Sequence, residues 1–217
     1  MRTTLLATLA LLSLPACTRT EGSEPRAQVR QAPAPALRAD TIAIASDSVR
    51  TVVNAAIGQS EYTVEYDPTY VTLEYPGGDV PRETGVCADV VVRAFRAVGI
   101  DLQKEVHEDM ARSFSSYPKR WGLRRPDRNI DHRRVANLMT FFERKGASLP
   151  LESDPAGYLP GDVVAWELDN KLLHIGMVTN IRDESGRPMM VHNIGQGARI
   201  EERLFAWKVI GHYRFVG

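Results

Sequence analysis

The sequence predicts an α+β domain in which helices come first and an antiparallel sheet follows. Three observations predict it. Apolar stripes of helical spacing recur between residues 49 and 142; short runs rich in β-branched or aromatic residues fill the chain after Pro150; and Gly, Asp and Asn stand between those runs. A length of 217 residues with 43% hydrophobic and 25% charged content allows one ordinary domain plus appendages. The 27 basic and 27 acidic residues cancel, so no long-range field gathers nucleic acid, and a nucleic-acid role is set aside.

In chain order, Arg2 followed by the apolar residues 5–14 reads as an export signal too short to span a bilayer. Leu14-Pro15-Ala16-Cys17 then resembles a lipobox, so residues 1–16 are expected to be removed and Cys17 to carry lipid. A plain signal cut near Ala16 is the alternative. Residues 17–45, rich in Ala, Pro, Glu, Arg and Gln, offer nothing for a core and read as a disordered tether. Residues 46–217 form the single folded domain.

Ser46-Asp47 can cap a helix carrying Val49, Val52, Val53, Ala56 and Ile57 and stopping at Gly58. Residues 70–75 read as a short strand closed by Pro76-Gly77-Gly78-Asp79. A helix over 86–98, ended by Gly99, carries Val91, Ala94, Phe95 and Val98; Leu102, Val106 and Met110 mark another. Val135, Leu138, Met139 and Phe142 mark a third helix, over 131–145, ending at Gly146. Strands are expected at 162–166, 174–179, 189–194 and 209–215.

Cys87 stands in the first turn of its helix, where unpaired N–H groups and the macrodipole favour a thiolate. With Cys17 lipidated it has no disulfide partner. The chemistry then needs an imidazole, and there are five histidines. His107 reads as a solvated helical residue, His132 as a cap or salt link, and His212 as structural. His174 and His192 lie on two runs that should pair as a hairpin about a turn at 183–186. Both positions are even, so a register joining positions of like parity puts the rings on one face, and the other register separates them. Two adjacent imidazoles, one on the thiolate and one orienting the first, would make an acyl-transfer set. A zinc site is the competing explanation, but there is no Cys-x-x-Cys or His-Glu-x-x-His run to complete it, so no metal or cofactor is expected.

Gly85-Val86-Cys87-Ala88-Asp89, Pro160-Gly161-Asp162-Val163-Val164, His174-Ile175-Gly176-Met177-Val178 and Val191-His192 follow the order of NlpC-like cell-wall peptidases, which have a papain-like fold. Val106-His107-Glu108-Asp109-Met110, the stretch 126–134 and Gly211-His212-Tyr213-Arg214 resemble, more closely, the family called domain of unknown function 1287. The resemblance implies Cys87 as nucleophile, His174 as base and His192 as third member. It also implies amide hydrolysis in peptidoglycan stem peptides by a monomer in the bacterial envelope, touching the membrane only through its lipid. Two departures stand out: the acid usual before the cysteine is Val86 here, with Asp89 following instead, and residues 102–160 are inserted, which should build part of the cleft. A transglutaminase-like acyl transferase and an inactive wall- or partner-binding module are the alternatives.

Overall fold

The computed structural model describes residues 41–44 and 46–216. The expected export signal, the lipid-bearing Cys17 and most of the tether lie outside the described residues. The folded part begins earlier than expected, because Thr41 forms an antiparallel bridge to Ile181 and the Ile42 N–H donates to the Asn180 carbonyl at 2.9 Å. Among the described residues no helix is long and apolar enough to cross a membrane.

Helix α1 (Asp47–Gly58) starts as its cap predicts: the Ser46 hydroxyl accepts from the Val49 N–H, and Val49, Val52, Val53 and Ala56 are buried. Two short strands, β1 (Glu65–Tyr66) and β2 (Thr84–Gly85), pair in parallel. They lead into α2 (Cys87–Arg96), whose first turn is closed by the Asp89 carboxylate accepting from the Val86 N–H at 2.7 Å. Helix α3 (Leu102–Ser113) is capped by Asp101, and α4 (Val135–Arg144) follows. The sheet then runs β3 (Val163–Glu167), β4 (Leu173–Arg182), β5 (Pro188–Asn193), β6 (Ala198–Glu201) and β7 (Lys208–Tyr213). Its spatial order is β6-β5-β4-β3-β7, with every pair antiparallel. Helices precede an antiparallel sheet, and Cys87 opens a helix that packs on it, the α+β arrangement the sequence predicts.

Both faces of the sheet are covered. Val163, Ala165, Ile175, Met177 and Val191 join Val91, Phe95 and the other helical residues in the main core. The alternate residues Val164, Trp166, Val178 and Met190 form a second cluster with Tyr158 and Leu204, in which the Trp166 indole N–H donates to the Leu204 carbonyl at 2.8 Å. Gly176 lies on this second face. A Cβ there would meet the Val191 carbonyl at 2.8 Å, the His192 Cβ at 3.0 Å and the Trp166 ring at 3.2 Å. Gly176→Ala should therefore cost about 1–3 kcal/mol. A shift in the urea midpoint checks it, and an unchanged midpoint would mean that the strands part freely.

Three expectations fail for physical reasons. Residues 70–75 form no strand, because their backbone groups bond to side chains: the Leu73 N–H donates to Asn129 and the Glu74 carbonyl accepts from Gln103. The helix expected over 131–145 is broken at Arg134, whose extended backbone (φ −105°, ψ 115°) separates a 3-10 turn at Asp131–Arg133 from α4. Strand β6 was not anticipated; it is short, and the Ala198 N–H is held by the Thr63 carbonyl from outside the sheet.

Candidate functional site

Cys87 lines an open cleft of about 330 Å³. The cleft wall comes from Tyr66 and Pro68, from the starts of α2 and α4, from Arg120 and Trp121, and from the turn into β4, Lys171 to Leu173. The inserted stretch thus builds much of the wall, as expected. The Cys87 side chain is 5% exposed. Burial pushes its thiol up to about 12, against the backbone N–H groups of Ile175, Ala88 and Cys87 that favour the thiolate, and the Asp89 charge pushes the same way as burial.

His174 and His192 come together as the parity argument expected. The β4–β5 register pairs Met177 with Val191 and Val178 with Met190, so the two histidines are diagonal neighbours on one face. His174 Nε2 and His192 Nδ1 lie 3.0 Å apart, and the rings are nearly perpendicular. One nitrogen donates and the other accepts. His192 Nε2 points toward Glu201 Oε2 at 3.5 Å without a hydrogen bond. Trp166 stacks on His174 with ring centroids 5.6 Å apart, and Trp207 meets both imidazoles edge-on. Burial holds His174 down at about 3, with the His192 ring as second cause, and holds His192 at about 4 against the pull of Glu201.

The expected contact between Cys87 and His174 is not made. His174 is the cross-strand partner of Trp166 and shares its face with Gly176 and His192, whereas Ile175 and Met177 face α2 and the main core that contains Cys87. Among the described residues no hydrogen bond joins Cys87 to either ring. The side chain of β4 that enters the cleft beside Cys87 is Leu173. Of the expected Cys87–His174–His192 set, the two imidazoles are hydrogen-bonded to each other on the Trp166 face of the sheet, while the Cys87 thiol lines the cleft without a hydrogen bond to either.

The other histidines are structural. His212 Nε2 lies 2.8 Å from Asp162, its Nδ1 lies 3.0 Å from the Pro150 carbonyl, and its ring stacks on Tyr158. The Asp162 of the Pro-Gly-Asp motif is held by His212, Arg214 and the Leu159 N–H, so that motif is explained by folding. His107, expected to be solvated, is half-buried with Nδ1 3.4 Å from Asp131. His132 neither caps nor pairs: its Nδ1 is buried without a partner, and burial holds it at about 4.

Sequence reasoning overlooked the cations of the cleft. Arg133 is spent on structure, bonding Asp89 and the carbonyls of Thr69 and Asp67. Arg134 and Arg120 are not spent in this way. The signal available was the density of Arg and Lys between residues 119 and 134.

A family model described as "Domain of unknown function (DUF1287)" matches residues 53–215. An "Uncharacterized protein YijF" of Escherichia coli (strain K12) is 50% identical over 181 residues, covering 83% of this chain and 88% of that protein. A structure of NlpC1 from Trichomonas vaginalis superposes with a TM-score of 0.43 at 17% identity, over 80% of this chain and 46% of that one, so the chain spans about half its length.

Proposed function

The chain belongs to the DUF1287 family, and from that premise we propose that it is an envelope protein that binds peptides of the cell wall in the cleft over Cys87. One observation carries this reading: the cleft is open and walled by five separated stretches of chain, yet among the described residues no imidazole is hydrogen-bonded to its thiol. A site built for Cys–His chemistry needs an imidazole within hydrogen-bonding reach. A binding site needs shape, apolar wall and a few polar anchors. The lipobox-like Leu14-Pro15-Ala16-Cys17 and the polar tether support the envelope location.

Thiol hydrolysis of a stem-peptide amide is the second reading, favoured by the three backbone N–H groups that act on the Cys87 sulfur at a helix start. One experiment separates the two. The full chain in detergent is incubated with purified peptidoglycan, and both cosedimentation and released fragments are measured, the latter by mass. Binding should occur, persist in Cys87→Ala, and release nothing. In parallel, peptide mapping should show Cys87 reacting with iodoacetamide at pH 7 on the order of a hundredfold more slowly than free cysteine. Fragments that vanish in Cys87→Ala would establish the hydrolase instead. Absence of both binding and release would sink the wall-peptide reading.

A further inference from the structure

We propose that the cleft over Cys87 is a carboxylate site that takes the free C-terminal end of a short peptide. The choice of a peptide rests on the preceding reading, whereas the charge of the ligand rests on the cleft itself. Four cations line it, Arg120, Arg133, Arg134 and Lys171, and no carboxylate does. Their availability differs. Arg133 is fully occupied by Asp89 and two carbonyls, and Lys171 is paired with Glu167 at 3.0 Å on the exposed rim. Among the described residues Arg134 has no ion pair, its Nη1 is buried without a hydrogen-bond partner, and its guanidinium lies over the Trp121 ring at 4.2 Å. Arg120 likewise makes no hydrogen bond or ion pair among the described residues.

A buried guanidinium N–H with no acceptor leaves a desolvation cost uncompensated, and Arg134 supplies such a donor inside the cleft wall. Burial works against its charge, with Asp131, Asp127 and Tyr70 supporting it from behind. An anion that reached Nη1 from the cleft would satisfy it. Two helix starts add to the pull. Val86 and Cys87 open α2, Arg134 to Ala136 open α4, and α4 has no side-chain cap, so the positive ends of both helices meet at this cleft. A planar carboxylate matches the guanidinium fork. The rest of the wall, Tyr66, Pro68, Ile130, Leu172 and Leu173, is apolar enough for a small aliphatic side chain next to that carboxylate. A volume of about 330 Å³ lies at the small end of ligand sites and suits a chain end of one or two residues.

Titration calorimetry on the full chain in detergent tests this with three probes: N-acetyl-alanyl-alanine bearing a free carboxylate, the same peptide as its carboxamide, and inorganic phosphate. The acid should bind at least tenfold more tightly than the amide, and phosphate should compete only weakly. Arg134→Gln should weaken the acid at least tenfold and leave the amide unchanged, while Lys104→Gln, a cation of α3 outside the cleft, should change the acid less than twofold. Should Arg134→Gln fail to fold, Arg120→Gln carries the same expectation of selective loss. Equal binding of acid and amide, or undiminished acid binding in both arginine variants, overturns the proposal, and phosphate binding as tightly as the acid reduces it to a general anion site. If the acid dipeptide binds while wall fragments do not, the wall-peptide reading falls and the carboxylate site stands. The converse result overturns the site alone.

Discussion

Replacing Arg133 with methionine should cost about 3–5 kcal/mol of stability, the cost of stripping one partner from a buried ion pair. Arg133 and Asp89 are 6% and 3% exposed, and three N–H···O distances of 3.0–3.3 Å join them. The remaining guanidinium donors bond the carbonyls of Thr69 and Asp67, tying the irregular segment after β1 to the start of α2. Asp89 in turn accepts from the Val86 N–H. Without Arg133 the carboxylate stays buried, holding one backbone donor and no countercharge. The Asp89→Leu/Arg133→Met pair should recover part of the loss, because it removes the stranded charge, but not all of it, because three backbone groups then lose partners. Urea unfolding of the two singles and the double would measure this. A loss below about 1 kcal/mol for Arg133→Met would show that water reaches Asp89 and that the pair is a surface contact.

The second large effect is acid sensitivity in a window set by three histidines. His132, His174 and His192 are almost fully buried, and burial is the first cause that holds each imidazole down, at about 4, about 3 and about 4. In the unfolded chain each returns to about 6.5. Below that value the unfolded chain binds protons that the folded chain refuses, so stability is fully present above about pH 6.5 and drains away as pH falls toward 4. Each histidine contributes up to about 1.4 kcal/mol per pH unit within the window. Asp131, whose carboxyl burial pushes up, opposes this in part by taking up a proton in the fold. A net loss of several kcal/mol between pH 7 and 5 is expected, comparable with the whole stability of an ordinary domain. Urea midpoints at pH 7.5, 6 and 5 should fall steeply, and His192→Gln, which cannot charge, should flatten the slope. A wild-type midpoint unchanged from pH 7.5 to 5 would mean that the rings are hydrated and titrate normally.

The sequence made some of this legible because the signals are local. Ser46 and Gly99 mark helix ends through backbone geometry that needs no distant partner, and α1, α2 and α3 lie close to where cap, glycine and stripes put them. Parity left two outcomes for His174 and His192, and the β4–β5 register chose the one that shares a face. Parity could not say which face. From His174 to Thr179 every residue of β4 is buried, because helices cover one side and the Trp166 cluster covers the other. A strand buried on both sides shows no alternation to read. The α2 residues offered no help, since a helical stripe specifies that it packs and not which strand positions it meets. The cleft was hidden for a different reason: Tyr66, Arg120, Arg134 and Leu173 come from remote segments and share no motif.

The alternation that carries His174 to the Trp166 face of the sheet also carries Leu173 into the cleft with Cys87. A thiol and an imidazole already occur on the right helix and the right strand, out of phase by a single position. Measured in sequence space, the distance between this cleft and a thiol–imidazole pair is one side chain at residue 173 rather than a new architecture. The same backbone could therefore carry a lone thiol or a thiol beside an imidazole at this position.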